Sequence, residues 1–452
     1  ANTMYDYAAL AKDNSVSPDL PEYIMETDNA RVALRKARDL GLGDKQIITD
    51  NSRKFYGKLC AAWFDHPEKK IKIIGVTGTN GKTTITNVIK NILMSYGIKT
   101  GLIGTIRNEI GNEPVHTDNT TPMAFDYMQL LDKMVKADCK YAVMEVSSFG
   151  LVQNRIGPTH FNIGVFTNLT QDHLDYHKTM ENYKAAKGML FARAAKSVIN
   201  MDDAAGAYMK EQSKGEVLTI GVDSKADLTA EGIDVSADGT AFDMLWQGKR
   251  YPVHLHTPGR FSVYNALGAA GACILLGVPV EEIVAGLTAN PGVSGRFQTV
   301  RSKRGCQAVV DYAHTPDGLE NVLNTANEFV KGKLIAVFGC GGDRDKTKRP
   351  KMGKIVGDLA DVAVVTSDNP RSEDPQLIVD DVLEGMHNCK AKIKVLVDRT
   401  EAIRYALGEA KKGDVVLLAG KGHETYQILN TGKIHYDERE VVAGILAEGK
   451  DK

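Results

Sequence analysis

The sequence predicts an α/β protein of three units built on parallel sheets, and three observations carry that expectation. At 452 residues the chain exceeds what one hydrophobic core ordinarily organises. Strand-sized apolar runs ("IKIIGVTG", "YAVMEVSS", "NIGVFTN", "KLIAVFG", "DVAVVTSDN", "DVVLLAG") alternate with helical patterns, which is the rhythm of parallel sheets covered on both faces. Two breaks divide the chain, one at "DHPEKK" and one near "HLHTPGRFSVYNALGAAGACILLG", where a Pro-Gly turn precedes an Ala/Gly-rich helix. The expected units are 1–69, 70–256 and 257–452.

The first unit opens with "ANTMYDYAALAKDNS", which lacks a signal-peptide pattern, and no apolar run approaches the ~20 residues of a spanning helix. A soluble, cytoplasmic protein with no membrane insertion is expected. Charge is nearly balanced, 56 Lys+Arg against 57 Asp+Glu, so nothing argues for nucleic acid or an anionic membrane as partner. The six cysteines (Cys60, Cys139, Cys273, Cys306, Cys340, Cys389) show no CxxC pairing and fit buried small hydrophobes in a reducing compartment.

The second unit begins with "GVTGTNGKTT" between an apolar run and a helix-like stretch. Gly78, Thr79, Asn80, Gly81, Lys82, Thr83 and Thr84 then form a phosphate cradle: backbone N–H groups and a helix N-terminus face the anion, and Lys82 reaches the terminal phosphates. Thr83 is placed to ligate Mg²⁺. The match to G-x-x-x-x-G-K-[ST] is imperfect, because Val76 stands where the first glycine belongs. Some sixty residues on, an apolar strand ends in Glu145, which can stand beside a phosphate-bound magnesium, while Ser147, Ser148 and Arg155 can hold a polar substrate. Alone, Glu145 fits a strand-end solvent charge equally well. "FTNLTQDHLDYH" then packs Asp172, His173, Asp175 and His177 after another strand, which suits a metal or substrate site or a capping cluster. Residues 215–256 read as alternating strands with turns, an antiparallel appendage.

In the third unit, Asp311 and His314 follow one strand, "FGCGGDRDKTKRPKMG" adds a glycine turn and five basic residues, and "SDNPRSEDP" and "AGKGHETYQ" follow two more. Basic loops past the ends of parallel strands form a site for anions or carboxylates.

In order along the chain, "TGTNGKTT", "NTTP", "MEVSS", "TNLTQDHLDYH", "YKAAK", "GRF-VYN", "DYAHTPDGLE", "GCGGDRDKTKRPKMG", "DNPRSEDP" and "GKGHETYQ" resemble the motifs of the Mur ligases of peptidoglycan synthesis, most of all the members that add the third amino acid. The resemblance covers about residue 45 to the C-terminus. It implies a three-domain α/β architecture: a short acceptor-side domain, a central P-loop parallel-sheet domain and a C-terminal Rossmann-like domain. It further implies a monomer acting on small-molecule substrates, with ATP and Mg²⁺ as cofactors. A substrate carboxylate would attack the γ-phosphate of ATP, and the amine of an amino acid would displace phosphate from the acyl phosphate.

By the same resemblance, Thr83, Glu145 and His173 serve the magnesium ions, and Lys187 matches the lysine that the family carbamylates. Asn265, Asp311 and His314 meet adenine and ribose from the third domain, and Arg296 lies near the phosphates. Thr120, Thr121, Ser147 and Arg155 fall on the acceptor side. Arg371 matches the arginine that grips the distal carboxylate of meso-diaminopimelate, in a pocket completed by Arg344, Asp368, Asn369, Pro370, Gly420 and Glu424. A guanidinium fork suits a carboxylate and rejects the ammonium tail of lysine.

The chain departs from the pattern twice. Phe149 stands where the family usually has histidine, and only about 70 residues precede the loop, without the usual early "DSR" pattern. The expected acceptor is the UDP-N-acetylmuramoyl dipeptide; the alternative is a diverged ligase whose acceptor has no UDP handle.

Overall fold

The computed structural model describes residues 4–6, 23–26, 46–49 and 51–448, apart from positions 118, 303 and 304. A three-stranded sheet comprises β1 (Met4–Asp6), β2 (Tyr23–Glu26) and β3 (Gln46–Thr49). Most of the acceptor-side domain expected over 1–69 lies outside the described residues. Its last helix, Ser52–Trp63, packs on the central unit, where Cys60 and Ala61 join the same apolar cluster as Tyr127, Met128 and Phe191.

The central sheet contains β4 (Lys72–Thr77), β5 (Thr100–Ile103), β6 (Asn108–Ile110), β7 (Glu113–Val115), β8 (Tyr141–Glu145), β9 (Phe161–Phe166), β10 (Ala194–Asn200), β11 (Glu216–Gly221), β12 (Leu228–Ser236), β13 (Gly239–Trp246) and β14 (Lys249–Leu255). Their order is β14-β13-β12-β11-β10-β9-β4-β8-β5-β6-β7. From β12 to β5 neighbouring strands run parallel, and antiparallel strands extend both edges. The segment 215–256 is thus a continuation of the main sheet: β11 pairs parallel with β10, and the antiparallel pairing expected there starts only between β12 and β13. Inner strands are apolar throughout because both faces are covered; β8 is buried along its whole length.

One face is covered by helix Lys82–Ser95 together with helices Arg260–Leu275 and Val280–Ala289, whose Ile85, Val88, Val263, Leu267, Ile283 and Leu287 share one core. The helix Arg260–Leu275 belongs to the central unit for a steric reason. Gly268 and Gly271 bring its backbone close to Ile85 and Val198, and a Cβ on Gly271 would lie 2.9 Å from Val198 Cγ1. The division expected at 256/257 therefore moves: we place it between Ala289 and Gln298, since a Pro-Gly turn also begins a helix that stays with its own sheet.

The C-terminal sheet holds β15 (Gln298–Arg301), β16 (Gln307–Asp311), β17 (Leu334–Phe338), β18 (Val362–Val365), β19 (Lys392–Val395) and β20 (Val415–Ala419) in the order β15-β16-β20-β17-β18-β19. All pairs are parallel except β15 with β16. Apolar clusters cover both faces. A hairpin, β21 (Tyr426–Leu429) with β22 (Gly432–His435), follows. Both large sheets turn the carboxyl ends of their inner strands to loops rich in polar side chains, the usual place for ligands in such sheets. All six cysteines are free, five of them buried. Among the described residues no helix is long and apolar enough to cross a membrane.

Candidate active site

The loop after β4 is held in an open arch by its neighbours. Thr79 N–H donates to the Asn168 carbonyl (2.9 Å) and Asn80 N–H to Asn168 Oδ1 (2.9 Å), while Thr167 Oγ1 donates to the Asn80 carbonyl (2.6 Å). Gly81, at φ +84, begins helix Lys82–Ser95 with no side-chain cap, so the first helical N–H groups face the cavity unclaimed by a capping side chain. A Cβ on Gly78 would collide with Thr167 Oγ1, so only glycine lets the strand bend here. Lys82 Nζ folds back onto the carbonyls of Gly78 (2.9 Å) and Thr79 (2.7 Å). Burial lowers its pKa, which Glu145 opposes and Arg296 reinforces.

Glu145, 1 % exposed, stands at the end of β8. Its carboxylate accepts from Thr83 Oγ1 (3.0 Å), Thr105 N–H (2.8 Å) and Thr105 Oγ1 (3.0 Å), and Arg296 Nη2 donates to the same Thr83 hydroxyl (3.0 Å). A carboxylate and a hydroxyl at the edge of a phosphate cradle are hard oxygen donors of the kind Mg²⁺ takes. Among the described residues no group of three or more His, Cys, Asp and Glu side chains could close a metal site alone. The donor set fits an ion completed by phosphate oxygens and water.

Across the cavity, His173 (φ +55) carries Asp172 beside its ring, with Nε2 3.3 Å from Oδ2. Burial pushes the imidazole down to about 4 against the pull of Asp172, so it is neutral near pH 7. Burial opposes ionisation of Asp172, but His173, Lys348 and His314 hold its carboxyl below the usual range. Lys187, 1 % exposed, lies with its Nζ 4.3 Å over the Tyr183 ring and forms no salt bridge among the described residues. Burial first, then the charge of Lys82, lowers its pKa well below that of an ordinary lysine. Phe149 sits in an aromatic cluster, packing edge-on to His173 and His177 and tilted against Tyr176. His177 Nε2 lies 2.8 Å from Ser148 Oγ.

The C-terminal unit closes the other wall. Arg296 crosses from the linker to Thr83 and lies 4.6 Å over the Tyr312 ring. Burial pushes Asp311 up to about 6, against Arg296, and its carboxylate accepts from Phe297 N–H (2.6 Å) and Ala313 N–H (2.7 Å). Burial and Lys348 lower the pKa of His314, whose carbonyl accepts from Lys348 Nζ (3.1 Å). Asn80 Nδ2 donates to Asp317 Oδ2 (2.6 Å), tying the phosphate loop to the third unit.

A cavity of about 490 Å³ results, lined by Gly78 to Thr84, Thr120, Glu145, Ser147, His173, Lys187, Asn265, Arg296, Asp311 and His314 among others. The sequence-expected ATP and metal residues thus meet at one place, although Asn265 reaches it from a helix of the central unit. Thr121 and Arg155 lie behind that wall: Thr121 Oγ1 donates to the Glu145 carbonyl (3.0 Å) and Arg155 Nη1 to the Thr121 carbonyl (3.0 Å).

Arg344, Asp368, Asn369, Pro370, Arg371, Gly420 and Glu424 form a second cluster, past the ends of β17, β18 and β20 and outside the lining of that cavity. Arg371 Nη1 donates to the carbonyls of Gly342 (2.7 Å) and Asn369 (3.3 Å). Asn369 Nδ2 donates to Glu424 Oε2 (2.9 Å). Burial raises the Glu424 carboxyl, and Asp368 adds to the rise. Of the five basic residues expected to form an anion site, Arg349 does not serve it: it is 1 % exposed and spent on Glu373 and Asp381, because its helix turns it inward.

Thr105, Asp317 and Lys348 make site contacts that the sequence reading did not single out. Asp317 and Lys348 lay within motifs that marked the region; Thr105 did not.

Comparison with known proteins fits this geometry. Residues 76–273 match the Mur ligase middle domain, and residues 295–422 match the Mur ligase glutamate ligase domain. The chain belongs to the Mur ligase family. This Mur ligase is 48 % identical over 404 residues to the UDP-N-acetylmuramoyl-L-alanyl-D-glutamate--2,6-diaminopimelate ligase of Clostridium botulinum, covering 89 % of this chain and 83 % of that protein. It is 45 % identical over 425 residues to the enzyme of the same name from Caldanaerobacter subterraneus subsp. tengcongensis, covering 93 % and 88 %. A solved structure of a ligase of this name superimposes with a TM-score of 0.65 at 35 % identity, covering 90 % of this chain and 85 % of that one.

Proposed function

We propose that this Mur ligase joins meso-diaminopimelate to UDP-N-acetylmuramoyl-L-Ala-D-Glu at the expense of ATP, through an acyl phosphate, in the cytoplasm. The observation that carries the choice of amino acid is Arg371. Its guanidinium satisfies itself on two backbone carbonyls through Nη1 alone, and no carboxylate pairs with it among the described residues, so its fork is free for a ligand carboxylate while Glu424 stands ready for an ammonium. The names of the relatives support the same reading.

The chain's own groups divide the work. Loop N–H groups and the start of helix Lys82–Ser95 take the phosphates, Lys82 exchanges two carbonyl oxygens for phosphoryl oxygens, and Arg296 spans linker and phosphate site. Thr83, Glu145 and His173 would hold Mg²⁺, which supplies charge neutralisation of the transferring phosphoryl group. The acceptor carboxylate then attacks the γ-phosphorus and ADP leaves; the amine attacks the acyl carbon and phosphate leaves as the amide forms.

We assign Lys187 as a carbamylation site on the same footing. Only a neutral amine combines with CO₂, its nitrogen bonding to carbon as a proton departs, and burial beside Lys82 favours that neutral amine. The product is an anion suited to a metal where an ammonium would repel it. Protein stripped of CO₂ should lose most of its turnover and regain it on adding bicarbonate. Indifference to bicarbonate would remove Lys187 from that role.

Phosphate release with ATP, Mg²⁺ and the UDP-muramoyl dipeptide tests the whole reading. Release is expected to require the dipeptide and meso-diaminopimelate and to stay at background with L-lysine. Silence with this acceptor, from protein that still binds ATP, would favour a ligase whose acceptor lacks UDP.

A further inference from the structure

The loop after β20 carries a lysine that the chemistry above does not use. Lys421 is 0 % exposed, and its Nζ meets three acceptors: Asn369 Oδ1 (3.0 Å), the Tyr426 carbonyl (2.9 Å) and Glu424 Oε2 (3.3 Å). An ammonium has three donors, so this buried cation is fully matched. Two of its acceptors belong to the cluster that would receive the amino acid. We infer that Lys421 is a positioning residue for amino-acid selectivity, fixing Asn369 and Glu424 so that one Glu424 oxygen is presented to the distal ammonium of a diamino diacid. The inference rests on the reading of the function given above.

The argument runs through the Asn369 amide. Its oxygen accepts from both Lys421 Nζ and Ile428 N–H (2.9 Å), so its nitrogen must face Glu424, where it donates to Oε2. Without Lys421 one of the two reasons for that orientation is gone. Glu424 receives Asn369 and Lys421 on the same oxygen, so Oε1 carries neither of these contacts; the Tyr426 hydroxyl also hydrogen-bonds this carboxyl, and an incoming ammonium would share it at Oε1. The charge matters as well as the geometry. Burial and Asp368 both disfavour a carboxylate at Glu424, and Lys421 is the nearest cation opposing them. A neutral Glu424 would offer a weaker partner to an ammonium.

Lys421→Met keeps most of the stem and removes the three donors. The informative readout is the ratio of kcat/KM for meso-diaminopimelate to that for 2-aminopimelate, which lacks the distal amine, with KM for ATP measured alongside. The wild type is expected to prefer the diamino acid, and in K421M the ratio should fall by about tenfold or more, the scale of one charge-assisted contact, with KM for ATP little changed. General damage to the pocket would lower both amino acids together and leave the ratio where it was, which overturns the inference. If K421M does not fold, Lys421→Gln keeps an amide donor for Asn369 without the charge and is read by the same ratio. A wild type that uses neither amino acid would instead overturn the functional reading, so the two failures are distinct.

Discussion

Lys82→Met is expected to lower the rate of amino-acid-dependent phosphate release by about a hundred- to a thousandfold while leaving the fold intact. Among the described residues the ammonium hydrogen-bonds only the carbonyls of Gly78 and Thr79, and the arch itself is pinned by Thr79, Asn80, Thr167 and Asn168, none of which needs Lys82. Its stem is half-buried, so methionine fills the same space. What disappears is a cation placed within the loop that would wrap the phosphates. Arg296 cannot move over to replace it, because its guanidinium is engaged with Thr83 and packed on Tyr312. The check is a phosphate-release assay on variant and wild type at saturating ATP, with thermal unfolding run in parallel. Activity within tenfold of wild type and an unchanged melting curve would mean that the phosphates are neutralised from elsewhere.

The arch ahead of helix Lys82–Ser95 was legible in the sequence because it is local. Glycines, Lys82 and Thr83 are contiguous, and their conformations follow from their order between a strand and a helix. Glu145 was half legible: a carboxylate ending an apolar strand is ambiguous until β8 is seen beside β4, which brings Glu145 to Thr83. Lys187 was not legible from helical spacing, which would put a lysine on the surface; only the packing of helix Met180–Phe191 against the site buries it. The same limit hid Thr105 and Asp317. Each acts through a partner that lies 40 residues away in the first case and 237 in the second; nothing near Thr105 marks it, and the motif around Asp317 does not show which of its residues reaches Asn80. The domain division was misplaced because the Pro-Gly turn at 258–259 is real but begins a helix that docks back on its own sheet. The basic run at 344–351 looked uniform, yet a helix facing the core turned Arg349 into a buried structural ion pair.

Arg371→Met is expected to cost about a hundredfold in kcat/KM for meso-diaminopimelate, nearly all of it in KM, with KM for ATP unchanged. The geometry makes the residue hard to replace. Arg371 has its backbone in the left-handed region (φ +54), held by its N–H donating to the Ile428 carbonyl (3.0 Å), and that conformation sends the side chain across the turn after β17. Gly341 leaves room for it, since a Cβ there would lie 2.9 Å from Nη1. Both anchoring bonds use Nη1, so the remaining edge of the fork can meet two carboxylate oxygens in parallel. Arg371→Lys should recover little, because an ammonium at the end of a shorter reach makes a point contact and has no second donor in the plane. The change should also relax selectivity: with the guanidinium gone, the ammonium tail of L-lysine no longer meets a like charge, and the ratio of kcat/KM between diaminopimelate and lysine should fall steeply. A variant that still discriminates as the wild type does would show that the distal carboxylate is held by another residue, with exposed Arg344, hydrogen-bonded to the Asp343 carbonyl, the next to replace.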